Sequence, residues 1–321
     1  ARGLMSTRAS GSPKKKFDPA QAGAEALEHI EAAVSELEEQ FRDVNARIDK
    51  RAGRPLWQAI VFGLLLGGVF VASLFWLVEL FVLFVTVLVV FAVLELAGAL
   101  TDKGRLRSRW PLVVVSAAMV PLAALYGPEG QLWGLVGAIA IAVALRAGRA
   151  LLQPDSRSTT LSDIGVAVMV LAYVPFLGGF AVAIATSPGG VWWVFAGVVI
   201  VACVDVAAYA TGLSLGKTPL APKISPKKTW EGFAGSFVAA MFAGVLLGTL
   251  MLGVSWWVGL LLGAVLLGSA TLGDLVESLI KRDLGIKDIS SWLPGHGGFL
   301  DRLDSMLPSM AMLFVMFQIF G

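Results

Sequence analysis

Nine apolar stretches follow one another from Leu56 to the C-terminus, near 56–75, 77–100, 110–126, 131–146, 163–186, 191–213, 232–254, 256–279 and 300–320. Crossing the hydrocarbon of a bilayer takes about 20 residues of helix, and a backbone in lipid must satisfy its own hydrogen bonds, so such stretches read as transmembrane helices. A soluble globule is excluded on composition as well. Of the 321 residues, 57% are hydrophobic and 15% charged, against about 45–50% and about a quarter in ordinary soluble domains. The expected fold is all-α, a polytopic integral membrane protein of about nine transmembrane helices. The third and fourth stretches are short, and Pro121 and Pro308 predict kinks or broken turns.

Charge is concentrated before the first stretch: residues 1–54 hold 10 of the 25 Lys and Arg and 9 of the 23 Asp and Glu. With the N-terminus in the cytoplasm, every basic residue falls on the cytoplasmic side. The connections around Trp76, Gly127–Gly130, Ser187–Gly190 and Ser255 carry none. The excess of Lys and Arg in cytoplasmic loops therefore predicts a cytoplasmic N-terminus and an external C-terminus.

Residues 1–16, with the run Lys14–Lys16, read as a disordered basic tail. In 17–54, Leu27, Ile30, Val34, Leu37, Phe41, Val44 and Ile48 alternate spacings of three and four, which predicts a cytoplasmic amphipathic helix. That helix lies on the membrane domain, 55–321, or on the lipid surface, or forms a short coiled coil between subunits. The single cysteine, Cys203, rules out an internal disulfide, and no Cys/His cluster suggests zinc.

The two longest cytoplasmic connections are the candidates for chemistry. The segment Gly216–Gly232 carries Lys217, Lys223, Lys227 and Lys228, three prolines and the hydroxyls of Ser225 and Thr229. It reads either as a phosphate clamp or as an anchor to lipid headgroups. The prolines favour the clamp, since an anchor needs no fixed backbone. The second segment places Asp274, Glu277, Ser278, Lys281, Arg282, Lys287 and Asp288 before a Gly-rich turn with His296, Gly297 and Gly298, then Asp301, Arg302 and Asp304. Carboxylates at membrane depth are costly and functional by default. Their oxygens suit a hard cation such as Mg²⁺ that bridges to phosphates. Asp301, Arg302 and Asp304 also admit a plainer reading as an ion pair with helix capping. Asp205 and Tyr209, at i and i+4 in the sixth stretch, either line a site or join helices. His296 could transfer a proton or only donate to phosphate. Glu79 and Glu95 are left outside the site.

Three stretches carry a family resemblance. They are Asp205-x-x-Ala208-Tyr209-x-x-Gly212-x-x-x-Gly216-Lys217, then Ile224 through Gly232, then Ser278 through Lys281-Arg282, Lys287-Asp288, Pro294 to Gly298 and Asp301-Arg302-Leu303-Asp304. Together they resemble the signature of the phosphatidate cytidylyltransferase, or CDP-diacylglycerol synthase, family. The motifs cover about 205–305, and residues 1–54 have no counterpart in that resemblance.

The resemblance implies transfer of a cytidylyl group from CTP to phosphatidic acid, with release of pyrophosphate, by a homodimer in a bacterial plasma membrane with no nucleic-acid partner. It implies Mg²⁺, with a second cation left open, held by Asp274, Asp301 and, more weakly, Asp304. Lys223, Lys227, Lys228, Lys281, Arg282 and Lys287 are then expected to hold phosphates. Ser225 and His296 would donate hydrogen bonds, and Asp205 and Tyr209 would line the cleft. Lys217, Asp288, Gly297, Gly298 and Arg302 complete the expected substrate-binding set. A lateral opening for the lipid is expected near the sixth to eighth stretches. The competing readings are a transporter or channel with a carboxylate relay, which lacks visible inverted repeats, and a cytidylyltransferase or kinase acting on another lipid.

Overall fold

The computed structural model describes residues 56–152, 157–290, 292 and 298–321. The expected tail 1–16 and heptad helix 17–54, together with His296 and Gly297, lie outside the described residues. The elements begin with α1 (Leu56–Trp76), α2 (Val78–Asp102), α3 (Trp110–Leu152) and α4 (Arg157–Leu171), and the chain from Gln58 to Gly321 forms one compact unit. A π-helical turn (Ala172–Phe176) leads into α5 (Leu177–Ala185) and α6 (Gly190–Leu215). The strands β1 (Pro219–Ala221) and β2 (Ser225–Thr229) precede α7 (Trp230–Leu250), α8 (Trp256–Asp283), the single turn α9 (Leu300–Leu303) and α10 (Met306–Phe320).

Seven helices among the described residues are long and apolar enough to cross a membrane: α2, α3, the run Thr160–Ala185, α6, α7, α8 and Leu300–Phe320. The nine expected stretches and these seven helices differ in two places: the first stretch, α1, is not among the seven, its described apolar part Gly63–Trp76 being shorter, and α3 contains both the third and the fourth stretch. Its 43 residues are helical except at Gly127, where φ is 60° and ψ −145°. Beyond that point the chain folds back. A Cβ on Gly134 would lie 3.6 Å from Leu122 Cδ1 and 3.7 Å from Met119 Cγ, atoms that a straight helix would carry about 18 Å or more away. The dihedrals stay helical through Pro121, so the break falls at Gly127 instead. A positive φ there is open to glycine and strained for a side chain.

Upstream of Pro308 the hydrogen-bond ladder lapses for one turn while the dihedrals of Asp304 and Ser305 stay α-helical. Pro308 has no N–H to give to the carbonyl of Asp304, and the lapse falls at Asp304–Ser305. Pro175 sits in the π turn inside the fifth stretch. There the Pro175 and Phe176 carbonyls accept from Gln131 Nε2, the former at 3.2 Å.

Helices in lipid gain little from hiding apolar surface and associate through close backbone approach. That explains the small residues where α6, α7 and α8 meet. A Cβ on Gly259 would lie 2.6 Å from the Gly244 carbonyl oxygen, and one on Gly248 3.0 Å from Gly259 Cα. A Cβ on Gly232 would lie 2.9 Å from the Ala208 carbonyl oxygen. Thr211 adds hydroxyl donation to Ala207 O at 2.6 Å and Gly232 O at 3.3 Å. Helix α10 closes the group against α8, α5 and α6. Large apolar side chains such as Val206, Phe242 and Leu272 face outward from it, as a lipid-facing surface requires.

Candidate functional site

The lysine-rich loop is a short antiparallel hairpin, with Pro219 opposite Thr229 and Ala221 opposite Ser225. Its far end is tied to α8 by Arg282 Nε, which donates to Ile224 O at 3.3 Å. Its near end is tied to α7. Thr229 caps that helix by accepting from Gly232 N at 3.1 Å, a role suited to a Thr at this position. The Glu231 carboxylate accepts from the backbone N–H groups of Lys217 and Thr218 at 3.1 and 3.2 Å, and from the Thr218 hydroxyl at 3.0 Å.

Between this hairpin and the ends of α6, α7, α8 and α9 lies a cavity of about 390 Å³. Nine expected site residues line it: Asp205, Tyr209, Ser225, Lys227, Lys228, Asp274, Asp301, Arg302 and Asp304. Thr229, Thr271, Ser236 and Ser305 line it as well. Lys228 forms an ion pair with Asp274, which also accepts from Ser278 Oγ at 3.3 Å. Lys281 stands behind the wall and joins two carboxylates, Glu277 Oε2 at 2.6 Å and Asp301 Oδ1 at 2.8 Å. Asp301 Oδ2 accepts from Gly298 N at 2.8 Å. Ser305 donates to Asp205 through its hydroxyl at 3.4 Å and to Asp304 through its N–H at 2.7 Å.

The wall so formed alternates carboxylates with ammonium and guanidinium groups, and among the described residues its potential metal ligands are oxygens. Among the described residues no three acidic, His or Cys side chains converge on one point as a closed metal cage. An oxygen-only, incomplete set fits Mg²⁺, which is commonly held by one or two carboxylates and keeps its other positions for water and substrate phosphates. Lys227 and Arg302 add further cationic donors of the kind that phosphate accepts from.

The cytidylyltransferase family profile matches residues 57–320. The chain belongs to the cytidylyltransferase family. It is similar over 81% of its length to a phosphatidate cytidylyltransferase of Mycobacterium bovis, at 40% identity across 270 residues and 87% of that protein. The corresponding enzyme of Mycobacterium tuberculosis is 40% identical over 81% of each chain, and that of Mycobacterium leprae 38% identical over 83% of this chain and 88% of its own. Family membership makes the chain a nucleotidyltransferase, and the transporter reading falls away.

For a member of this family the expected residues divide clearly. Lys281 and Gly298 support the wall from behind. Arg282 braces the hairpin. Lys217, Lys223, Lys287 and Asp288 are exposed and stand outside the cavity lining. Three supporting carboxylates were not expected. Glu231 clamps the hairpin. Glu277, fully buried, pairs with Lys281 one helical turn away, a spacing visible in the sequence. Glu95, left outside the site above, is 3% exposed. It accepts from Ser290 Oγ at 2.5 Å and from Leu300 N at 2.9 Å, across 205 residues of chain in the second case. No local pattern announces that pairing.

Proposed function

We propose that the chain catalyses CTP plus phosphatidic acid to CDP-diacylglycerol plus pyrophosphate. The observation that supports this reading best is a cavity lined by Lys228 paired with Asp274 and by Asp301, which Lys281 holds from behind, in a chain similar to three phosphatidate cytidylyltransferases along most of its length. The lipid phosphate is already an anionic nucleophile, so no side chain has to remove a proton from it. The site has to bring two polyanions together and stabilise the leaving pyrophosphate.

An oxygen of phosphatidate forms a bond to the α-phosphorus of CTP in line with the breaking bond to the β-phosphate oxygen. Lys227, Lys228 and Arg302 hold the phosphates, and Ser225 donates a hydrogen bond. Lys281 fixes the orientation of Asp301 while compensating its charge and that of Glu277. Asp274, Asp301 and Asp304 would hold Mg²⁺, which supplies Lewis-acid stabilisation of the triphosphate. Asp205 and Tyr209 form the wall nearest α6.

In this reading the protein is a homodimer of a bacterial plasma membrane, with its site and N-terminus cytoplasmic and its C-terminus outside. Leu56–Trp76 and the two arms of α3 are crossings, giving nine. The test is incubation of the purified full chain with labelled CTP and phosphatidic acid in mixed micelles, with and without Mg²⁺. Labelled CDP-diacylglycerol and pyrophosphate are expected only with the metal. No transfer under any condition would overturn the reading.

A further inference from the structure

The polar cavity has an apolar neighbour. A groove of about 220 Å³ runs between α1, α2, α5, α6 and α10, with Phe70, Phe84, Val198 and Met310 on its walls. Arg302 is the one charged side chain among the described residues that line it, and Arg302 lines the polar cavity too. The groove is therefore apolar along its length and cationic where it adjoins the carboxylates. From Arg302 to Met310 the chain advances eight residues, so the apolar lining extends about 12 Å along α10 from the guanidinium's position in the sequence.

We propose that this groove seats one acyl chain of the lipid substrate, with Arg302 holding the lipid phosphate where the two spaces meet. The proposal rests on the function proposed above and adds where the lipid lies. A guanidinium suits this post because its planar donors can engage two phosphate oxygens at once. Charge complementarity thus selects an anionic lipid entering head-first toward the polar cavity. A chain moving from bilayer to groove exchanges one apolar surroundings for another and gains little free energy. The groove acts by alignment: a seated chain limits where the phosphate can sit relative to CTP. Its α1 wall is open, since a Cβ built on Gly63 or Gly67 meets nothing within 4 Å.

The test fills the groove from two walls and asks separately where the chain lies. Gly67→Phe from α1 and Ala181→Leu from α5 are expected to raise the KM for dioleoyl phosphatidic acid about tenfold or more and to leave the KM for CTP within about twofold. Gly137→Phe, on α3 where a Cβ also meets open space, keeps both constants. Phosphatidic acid bearing a diazirine in one acyl chain is expected to label peptides of 78–98 and 303–310 in the wild-type chain. Unchanged lipid KM in both filling variants, with label elsewhere, would overturn the proposal. So would a change of oligomeric state in Gly67→Phe with lipid KM unchanged, which assigns the groove to a second copy. If the wild-type chain makes no CDP-diacylglycerol, the function above fails, and the labelling arm still decides the groove.

Discussion

Glu95 and Asp301 grip two amides of the same short turn. Asp301 Oδ2 accepts from Gly298 N at 2.8 Å, and Glu95 Oε2 accepts from Leu300 N at 2.9 Å. A Cβ on Gly298 would lie 2.7 Å from Glu95 Oε2 and 3.1 Å from Asp301 Oδ2, so the turn passes between the two carboxylates with no room for a side chain. Helix α2 thereby positions the carboxylate of Asp301, although it contributes nothing to the cavity lining.

Glu95→Gln exchanges one acceptor oxygen for an amide donor and leaves either the Ser290 hydroxyl or the Leu300 N–H facing it. An unsatisfied buried donor costs about 1–3 kcal/mol. The expected outcome is about a tenfold or greater loss of kcat with a folded protein, and a larger loss for Gly298→Ala. Leaving Glu95 outside the site, as its place in the sequence suggests, would instead predict only a slight change in turnover. Wild-type kcat in both variants would remove Glu95 from its positioning role.

Replacing Asp274 or Asp301 by Asn removes charge from the wall at nearly constant shape. Loss of one well-placed electrostatic group in a transition state costs on the order of 10² to 10³ in rate. Cytidylyl transfer is expected to fall at least about a hundredfold in each, and chelation of Mg²⁺ should abolish it reversibly. Glu79→Gln, outside the cavity lining, should keep the wild-type rate. A folded Asp301→Asn chain within a few fold of wild type would take Asp301 out of the site.

Lys281→Met leaves the fully buried Glu277 and the neighbouring Asp301 without their cation. Breaking a buried pair from one side typically costs about 3–5 kcal/mol, whereas replacing buried ions by apolar groups of similar volume is often neutral. Thermal unfolding in detergent should show a marked loss of stability for Lys281→Met, with part of it regained in Lys281→Met/Glu277→Met. Equal stability of the single variant and the wild type would contradict the pairing.

Gly259→Leu tests the α7–α8 contact. Its Cβ would come 2.6 Å from the Gly244 carbonyl oxygen and 2.8 Å from Val245 Cα, and backbone cannot yield as a side-chain tip can. The variant is expected to separate the helices, lower the unfolding temperature and lose activity. Leucine at Gly268, where a Cβ meets nothing within 4 Å, is expected to be tolerated.

Orientation is tested by Lys223→Cys on a Cys203→Ala background. Impermeant thiol reagents should reach it in inside-out vesicles and not in intact cells. Labelling from outside would reverse the proposed topology.

The sequence alone determines that this chain lives in lipid and that it is helical, and its motif resemblance points to 205–305 for the chemistry, because span length and motif spacing are properties of contiguous residues. It also picks out nine of the residues that line the cavity. What only the tertiary structure decides is how they pair. Lys228 meets Asp274, and Lys281 takes both Glu277 and Asp301. Lys217, Lys223 and Lys287, equally basic and equally close in sequence, stay outside the cavity. The third and fourth apolar stretches become one folded-back helix because glycine at 127 admits a positive φ, while Pro121, the stronger breaker on paper, is accommodated. Glu95 is the clearest case, since its partners Ser290 and Leu300 lie on the far side of the sequence. A buried carboxylate takes whichever donors the fold carries to it, and that is a matter of distance in space, which no local periodicity encodes.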